Sequence, residues 1–412
     1  MENLRRILIS MALPVAVIVI VSSCKRDDDP FSDYTYLRSA ENLFTTSAAS
    51  VTSLLSLMTV SDPEASELMQ FVNHDVDIYR ITYSTMLYDE NITASGLICV
   101  PVTPGSYPAL SFQNGTNTLH SNAPSVNPSN FSYQLVENVA SMGFIVIIPD
   151  YPGFGSSEQK AHPYLLKEPT VKSVTDMLGA LEEFVGDVVV NTGLTGELFL
   201  FGYSQGGWAT LALHREVEEK GAHGFNLAAS AAGAGPADLR GMLEGFVAES
   251  EYPVPAYFGY IAHAYNTYER FSLPYSAIFN EPYASRVPTL FNGTLSLGNI
   301  NSMLTTDIAA LLDSDFKSGF ASDPAYASVR QALEDNSIPA WNTSVPLLLV
   351  HGEADTQVPA AGTVVLYNEM ISEGSSPQTV RIELIPDADH GDGLIPASVK
   401  SLLFMLEFID RR

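Results

Sequence analysis

Residues 197–219, ELFLFGYSQGGWATLALHREVEE, run from an unbroken apolar stretch, through a serine between glycines, into a helical pattern. Glu197–Phe201 reads as a strand buried on both faces, because its apolar residues do not alternate with polar ones. Gln205–Glu219 reads as a helix. Between them, Gly202-Tyr203-Ser204-Gln205-Gly206 fits the pattern G-x-S-x-G, which chance alone supplies in roughly one chain in eight of this length. The context makes it informative: a strand leads in and a helix leads out, so the turn is too sharp for side chains to clear one another at the flanking positions. The N-terminus of the helix also turns the positive end of its dipole toward the serine. The expectation is a reactive Ser204 hydroxyl at the end of a strand.

On both sides of that turn, strands and helices alternate. Ile78–Leu87 and Ile92–Val100, joined by Tyr88-Asp89-Glu90-Asn91, read as an antiparallel hairpin. Ala109–Phe112 and Phe144–Ile148 read as strands around a helix at Phe131–Met142, and a further helix spans Thr170–Val185. After the turn come strands at Leu227–Ala232, Pro346–Val350 and Val380–Ile385, then helices at Ala361–Ser372 and Ala397–Ile409. Apolar strands separated by amphipathic helices predict an α/β architecture, a mostly parallel sheet covered on both faces. The rhythm stops over residues 237–341, a tyrosine-rich region without a clear strand, which predicts a helical cap insertion. Residues 45–236 and 342–412 then form the core. Residues 31–73 read as a helical lead-in, with Leu54, Leu55, Leu57, Met58, Leu68, Met69, Phe71 and Val72 near helical spacing.

A serine nucleophile needs a base within hydrogen-bond reach, and the base needs an acid to hold its tautomer. His214 and His223 lie too close to Ser204 in sequence to fold back on it, and His263 falls in the insertion. His351 ends a strand and reads as structural. His390 follows the strand Val380–Ile385, on a loop at the sheet edge where open α/β sheets place ligands, and is the expected base. Asp355, just after the preceding strand, is the expected acid, with Glu353 as runner-up. Asp387, Asp389 and Asp392 lie too near His390 to face its Nδ1. The loop 387–393 has a superficial likeness to a calcium loop but has Gly391 at the fifth position and no glutamate at the twelfth. For the oxyanion, the expected donors are the backbone N–H of Gln205 and one from the loop Gln113-Asn114-Gly115-Thr116, with Thr116 favoured. Asp150 and Tyr151 read as shaping their loop rather than reacting.

The chain has 412 residues, 46% of them hydrophobic, enough apolar area for a core and too much for a disordered protein. Lys and Arg number 20 against 47 Asp and Glu, a net charge of −27 that argues against nucleic acid as a partner. Two cysteines exclude a disulfide scaffold and a thiolate zinc site. Arg5 and Arg6 precede an apolar run, Ile7–Val21, which is short for a spanning helix. Val21-Ser22-Ser23 then leads into Cys24. The pattern predicts a signal peptide at 1–23 and export. The small residues before Cys24 resemble a bacterial lipoprotein box, which implies lipidation at Cys24, a membrane anchor there, and a place in the cell envelope. Residues 24–44 then read as a tether, whose KRDDDP segment resembles the surface-export signal of some Bacteroidetes lipoproteins. Cys99 remains as a buried small hydrophobe.

Several segments, taken in order, resemble secretory-lipase-type α/β-hydrolases over roughly residues 75–405. These are Phe112-Gln113-Asn114-Gly115-Thr116 with Ala123-Pro124-Ser125, and Pro149-Asp150-Tyr151-Pro152-Gly153-Phe154-Gly155 with His162-Pro163-Tyr164-Leu165. The serine turn and the Asp355 and His390 segments complete the series. The resemblance implies the α/β-hydrolase fold, a serine carboxylester hydrolase with a helical cap, and no cofactor. Its substrate would be a small-molecule, glycan or lipid ester. One departure stands out: many relatives carry His-Gly-Thr where this chain has Asn114-Gly115-Thr116. A serine peptidase using the same three residues, and a non-catalytic surface binding lipoprotein, are the alternative functions. The cap tyrosines are expected either to line or gate a substrate pocket or to form the cap's own core.

Overall fold

The computed structural model describes residues 31–189 and 191–409. The expected signal peptide, the KRDDDP segment and Cys24 lie outside the described residues. Nine strands form one sheet: β1 (Leu37–Thr46), β2 (Val76–Leu87), β3 (Glu90–Pro101), β4 (Gly105–Gln113), β5 (Ile145–Pro149), β6 (Thr192–Tyr203), β7 (Asn226–Gly233), β8 (Leu347–Gly352) and β9 (Val380–Ile385). Their spatial order is β1-β2-β3-β5-β4-β6-β7-β8-β9. The first three strands pair antiparallel and β3 meets β5 antiparallel, whereas all pairings from β5 to β9 are parallel. The hairpin is the β2–β3 pair, and helices connect the parallel strands, with a much longer helical segment between β7 and β8.

The helices divide between the two faces. On one lie α1 (Ala48–Met58), α2 (Phe131–Glu137) and, at the chain's far end, α6 (Leu394–Leu406). On the other lie α3 (Lys167–Asp187), α4 (Gln205–Lys220) and α5 (Ala360–Ser372). Alternate residues of a single strand therefore enter opposite cores. Leu198 and Leu200 face α3 and α4, while Phe199, Phe201 and Tyr203 face α2 and α6. Burial on both sides is why these strands read as continuous apolar runs. Cys99 sits inside β3, fully buried, and burial pushes its thiol far above the ordinary range, so it is inert.

The segment between β7 and β8 is built of short helices from Leu239–Ala248 to Ala327–Asn336, with isolated bridges but no strand among its residues. Its tyrosines do two things. Some stack within it, as Phe246 on Tyr252 and Tyr260 on Phe291. The same two tyrosines, with Tyr265 and Tyr268, donate their hydroxyls to carbonyls of the core loops: Tyr252 to Gln357, Tyr260 to Asn117, Tyr265 to Leu165 and Tyr268 to Ala161. They seat the cap on the loops around Ser204.

One expectation is corrected. The lead-in is not wholly helical and residues 24–44 are not all tether, because Leu37–Thr46 forms the edge strand β1 against β2. Its start is fixed from far away in sequence. The Glu183 carboxylate on α3 accepts the backbone N–H groups of Thr35, Tyr36 and Leu37 at 2.7–3.0 Å. Among the described residues no helix is long and apolar enough to cross a membrane.

Candidate active site

Ser204 lies where β6 ends and α4 begins, with φ 60° and ψ −122°, a region that non-glycine residues avoid. The strain is held by its surroundings. The Ser204 N–H donates to the Gly233 carbonyl at 2.8 Å, and Trp208 N–H closes the first helical turn onto the Ser204 carbonyl. A Cβ on Gly206 would run into the Gln113 carbonyl oxygen, and one on Gly202 into the backbone of Gly206. Both glycines are thus required by close backbone approach.

His390 stands on the loop between β9 and α6, and its Nε2 lies 2.9 Å from Ser204 Oγ. Its Nδ1 lies 2.6 Å from Asp355 Oδ2. Two neighbours aim the ring. The Asp389 carboxylate caps the turn by accepting the N–H groups of Gly391 and Asp392, and Tyr203, inside the serine turn itself, donates its hydroxyl to the His390 carbonyl at 2.8 Å. Asp355 is buried, follows β8, and takes the N–H groups of Gln357 and Val358 on Oδ1. Burial alone would raise its pKa. Hydrogen bonds from His351 and His390, the charge on His390 and the Val358 N–H outweigh burial and hold the carboxyl well below the usual range. With Asp355 ionised, His390 keeps its proton on Nδ1 and offers the Nε2 lone pair to Ser204.

Ser204, His390 and Asp355, proposed from sequence, are thus brought together. The other candidates are elsewhere. His214 is buried against Thr343, His223 packs edge-on to Tyr36, and His263 stacks on Phe291 in the cap. Glu353, Asp387, Asp389 and Asp392 are exposed. Asp150 accepts hydrogen bonds from Ser95 and from both the N–H and hydroxyl of Ser125, so it ties loops together. His351, read as structural, is fully buried but also touches the acid. Its Nε2–H is shared between the Val358 carbonyl at 2.7 Å and Asp355 Oδ2 at 3.2 Å, while Nδ1 faces the Thr363 hydroxyl.

The loop expected to supply an oxyanion donor sits beside the serine because β4 and β6 are neighbours, with Gln113 paired to Gly202. Asn114, Gly115 and Thr116 share one cavity with Ser204. The Asn114 side chain, at the departure from the family pattern, donates to the Pro149 carbonyl and so braces the loop. The Thr116 hydroxyl meets that of Tyr164 at 3.0 Å. Neither the Thr116 N–H nor the Gln205 N–H has an acceptor among the described residues.

His162 was not expected at the site from sequence. Its Nδ1–H donates to the Pro152 carbonyl, and its Nε2 accepts the side-chain amide of Gln205 at 2.8 Å, which anchors the residue after the serine. Burial pushes its pKa down to about 4, against the hydrogen bond to the Pro152 carbonyl, which favours the proton. An unfolded histidine titrates near ~6.5, so the unfolded chain holds the extra proton between these values. Stability from His162 is full above about pH 6.5 and is lost as pH falls toward 4, by about 3 kcal/mol at most. His162→Gln cannot take up a proton, and urea unfolding of this variant should decline less steeply than wild type over that window. Equal slopes would contradict the assignment.

Known structures share this arrangement of elements. A presumed hydrolase of Legionella pneumophila superposes with a TM-score of 0.80 at 26% identity, over 92% of this chain and 99% of its own. The rice cell wall degrading esterase LipA of Xanthomonas oryzae gives 0.75 at 25% identity, over 91% and 97%. Candida antarctica lipase A in its closed state, 15% identical, shares the fold with a TM-score of 0.64, over 92% and 85%. No curated protein matches the chain in sequence. The alpha/beta hydrolase family model matches residues 119–397, more than half of the chain and a span that contains Ser204, Asp355 and His390. By that match and by its sheet, the chain belongs to the alpha/beta hydrolase family.

Proposed function

We propose that the protein is a serine carboxylester hydrolase. The observation that carries this reading is the continuous hydrogen-bonded line from Ser204 Oγ through His390 to a buried, ionised Asp355, at a strained strand-to-helix turn. Ser204 Oγ attacks the ester carbonyl while its proton passes to His390 Nε2. The N–H groups of Gln205 and Thr116 take the oxyanion. As the tetrahedral intermediate collapses, the carbonyl–alkoxy bond breaks and His390 protonates the departing alkoxide. Water, deprotonated by the same Nε2, then attacks the acyl-enzyme; the acyl–Oγ bond breaks, His390 returns the proton to Ser204 Oγ, and the carboxylic acid leaves. Asp355 stays ionised throughout and stabilises the imidazolium.

The same machinery can cleave amides, so the test compares the two leaving groups. Wild-type enzyme should turn over p-nitrophenyl butyrate at least 10³-fold faster than butyryl and aminoacyl p-nitroanilides of matched size. Similarity to the Xanthomonas oryzae esterase supports that direction. Efficient p-nitroanilide cleavage with slow ester cleavage would replace this reading with a peptidase.

A further inference from the structure

Two sizeable cavities adjoin the site, and they differ in what they touch. The larger, about 610 Å³, lies between the cap helix Leu239–Ala248 and the Asp355 loop and does not reach Ser204. The other, about 380 Å³, opens onto Ser204 and the Asn114–Asn117 loop, then runs along β4 and β6 between α1, α2 and α6. Its walls are mostly apolar and none of them comes from the cap. On α1 the lining residues are Val51, Leu54, Leu55 and Met58, spaced i, i+3, i+4, i+7, so one whole face of this helix is turned to the cavity. Phe131 and Leu394, which also line it, are exposed, an unusual position for two large apolar side chains beside a reacting serine.

Resting on the esterase reading above, we infer that this cavity holds the acyl chain of the substrate and that the enzyme prefers medium-length, unbranched acyl esters. The assignment to the acyl rather than the alcohol side follows from the chemistry. The alkoxide must depart next to His390 Nε2 to be protonated, and His390 does not line the cavity, whereas the oxyanion loop does. A carbonyl whose oxygen points at the Thr116 and Gln205 N–H groups therefore sends its carbon chain between α1, α2 and α6. At ~30 Å³ per heavy atom, the share of a water in the liquid, the space takes roughly a dozen chain atoms. The preference then lies in the lead-in helix α1 and the closing helix α6, and the tyrosine-rich cap serves the alcohol side.

The test is a series of p-nitrophenyl esters from acetate to palmitate with the wild-type enzyme, Ser204→Ala, Val136→Phe and Leu54→Trp. Each methylene buried should raise kcat/KM roughly two- to fourfold, levelling off between decanoate and dodecanoate. Either bulky variant should lower the ratio of decanoate to acetate kcat/KM by tenfold or more. That ratio is independent of the fraction of enzyme folded, so it can be read even where part of a variant is unfolded. Ser204-dependent activity that peaks at acetate or butyrate, or a ratio unmoved in both variants, overturns the acyl assignment and leaves the esterase reading standing. No Ser204-dependent turnover of any ester overturns the esterase reading itself, and the acyl assignment with it.

Discussion

Ser204→Ala and His390→Ala should each lower kcat for a p-nitrophenyl ester by roughly 10⁴-fold or more, and the double variant should be no worse than either alone. The reason is the geometry of a unit. Ser204 Oγ has His390 Nε2 at 2.9 Å, and among the described residues no other titratable side chain hydrogen-bonds it. Without the base the hydroxyl is a poor nucleophile, and without the hydroxyl the base has nothing to deprotonate. Independent contributions would multiply, whereas members of one relay do not. Residual activity over the uncatalysed rate would come from the Gln205 and Thr116 N–H groups, which both variants retain. Two losses that multiply in the double variant would mean that the residues act separately and that the relay is wrongly drawn.

Asp355→Asn should cost about 10⁴-fold in kcat with little change in KM, and should also destabilise the fold. In the wild type the carboxylate only accepts. Oδ2 faces His390 Nδ1–H and His351 Nε2–H, and Oδ1 takes the Gln357 and Val358 N–H groups. An asparagine presents an oxygen to one pair and an NH₂ to the other. If the oxygen stays with the two backbone donors, the amide N–H points at His390 Nδ1 and favours a proton on Nε2, the tautomer that cannot accept from Ser204. If it flips, two backbone N–H groups lose their acceptor in a buried place, a loss of about 1–3 kcal/mol each. The measurement is kcat and KM with an ester, alongside urea unfolding. A variant within tenfold of wild type in kcat would show that Asp355 does not set the His390 tautomer.

The parts of the fold that were legible in the sequence are those specified by neighbouring residues. The serine turn could be read because glycines, strand and helix lie within 23 consecutive positions. Asp355 and His390 could be read because each lies on the loop that follows a strand, at the same end of the sheet. Strand β1 could not. Leu37–Thr46 has mixed composition, pairs on one side only, and depends on the Glu183 carboxylate for its start, a partner nearly 150 residues away. Likewise, nothing near His162 in sequence announces Gln205, and nothing near His351 decides between an inert core histidine and one that also supports Asp355. Tyrosine spacing in the cap left open whether the rings line a pocket or pack together. The structure adds a third use, hydroxyls that seat the cap on core carbonyls, and leaves the cavity at Ser204 to helices outside the cap.

The mechanism rests on Ser204 being a nucleophile activated by His390. The most direct measurement treats the folded protein with a fluorophosphonate and maps the adduct by peptide mass spectrometry. A single phosphonylated residue, Ser204, is expected, with no adduct in Ser204→Ala and labelling slowed by at least 10³-fold in His390→Ala. An adduct on a different residue, or an unlabelled Ser204 in correctly folded protein, would contradict that activation.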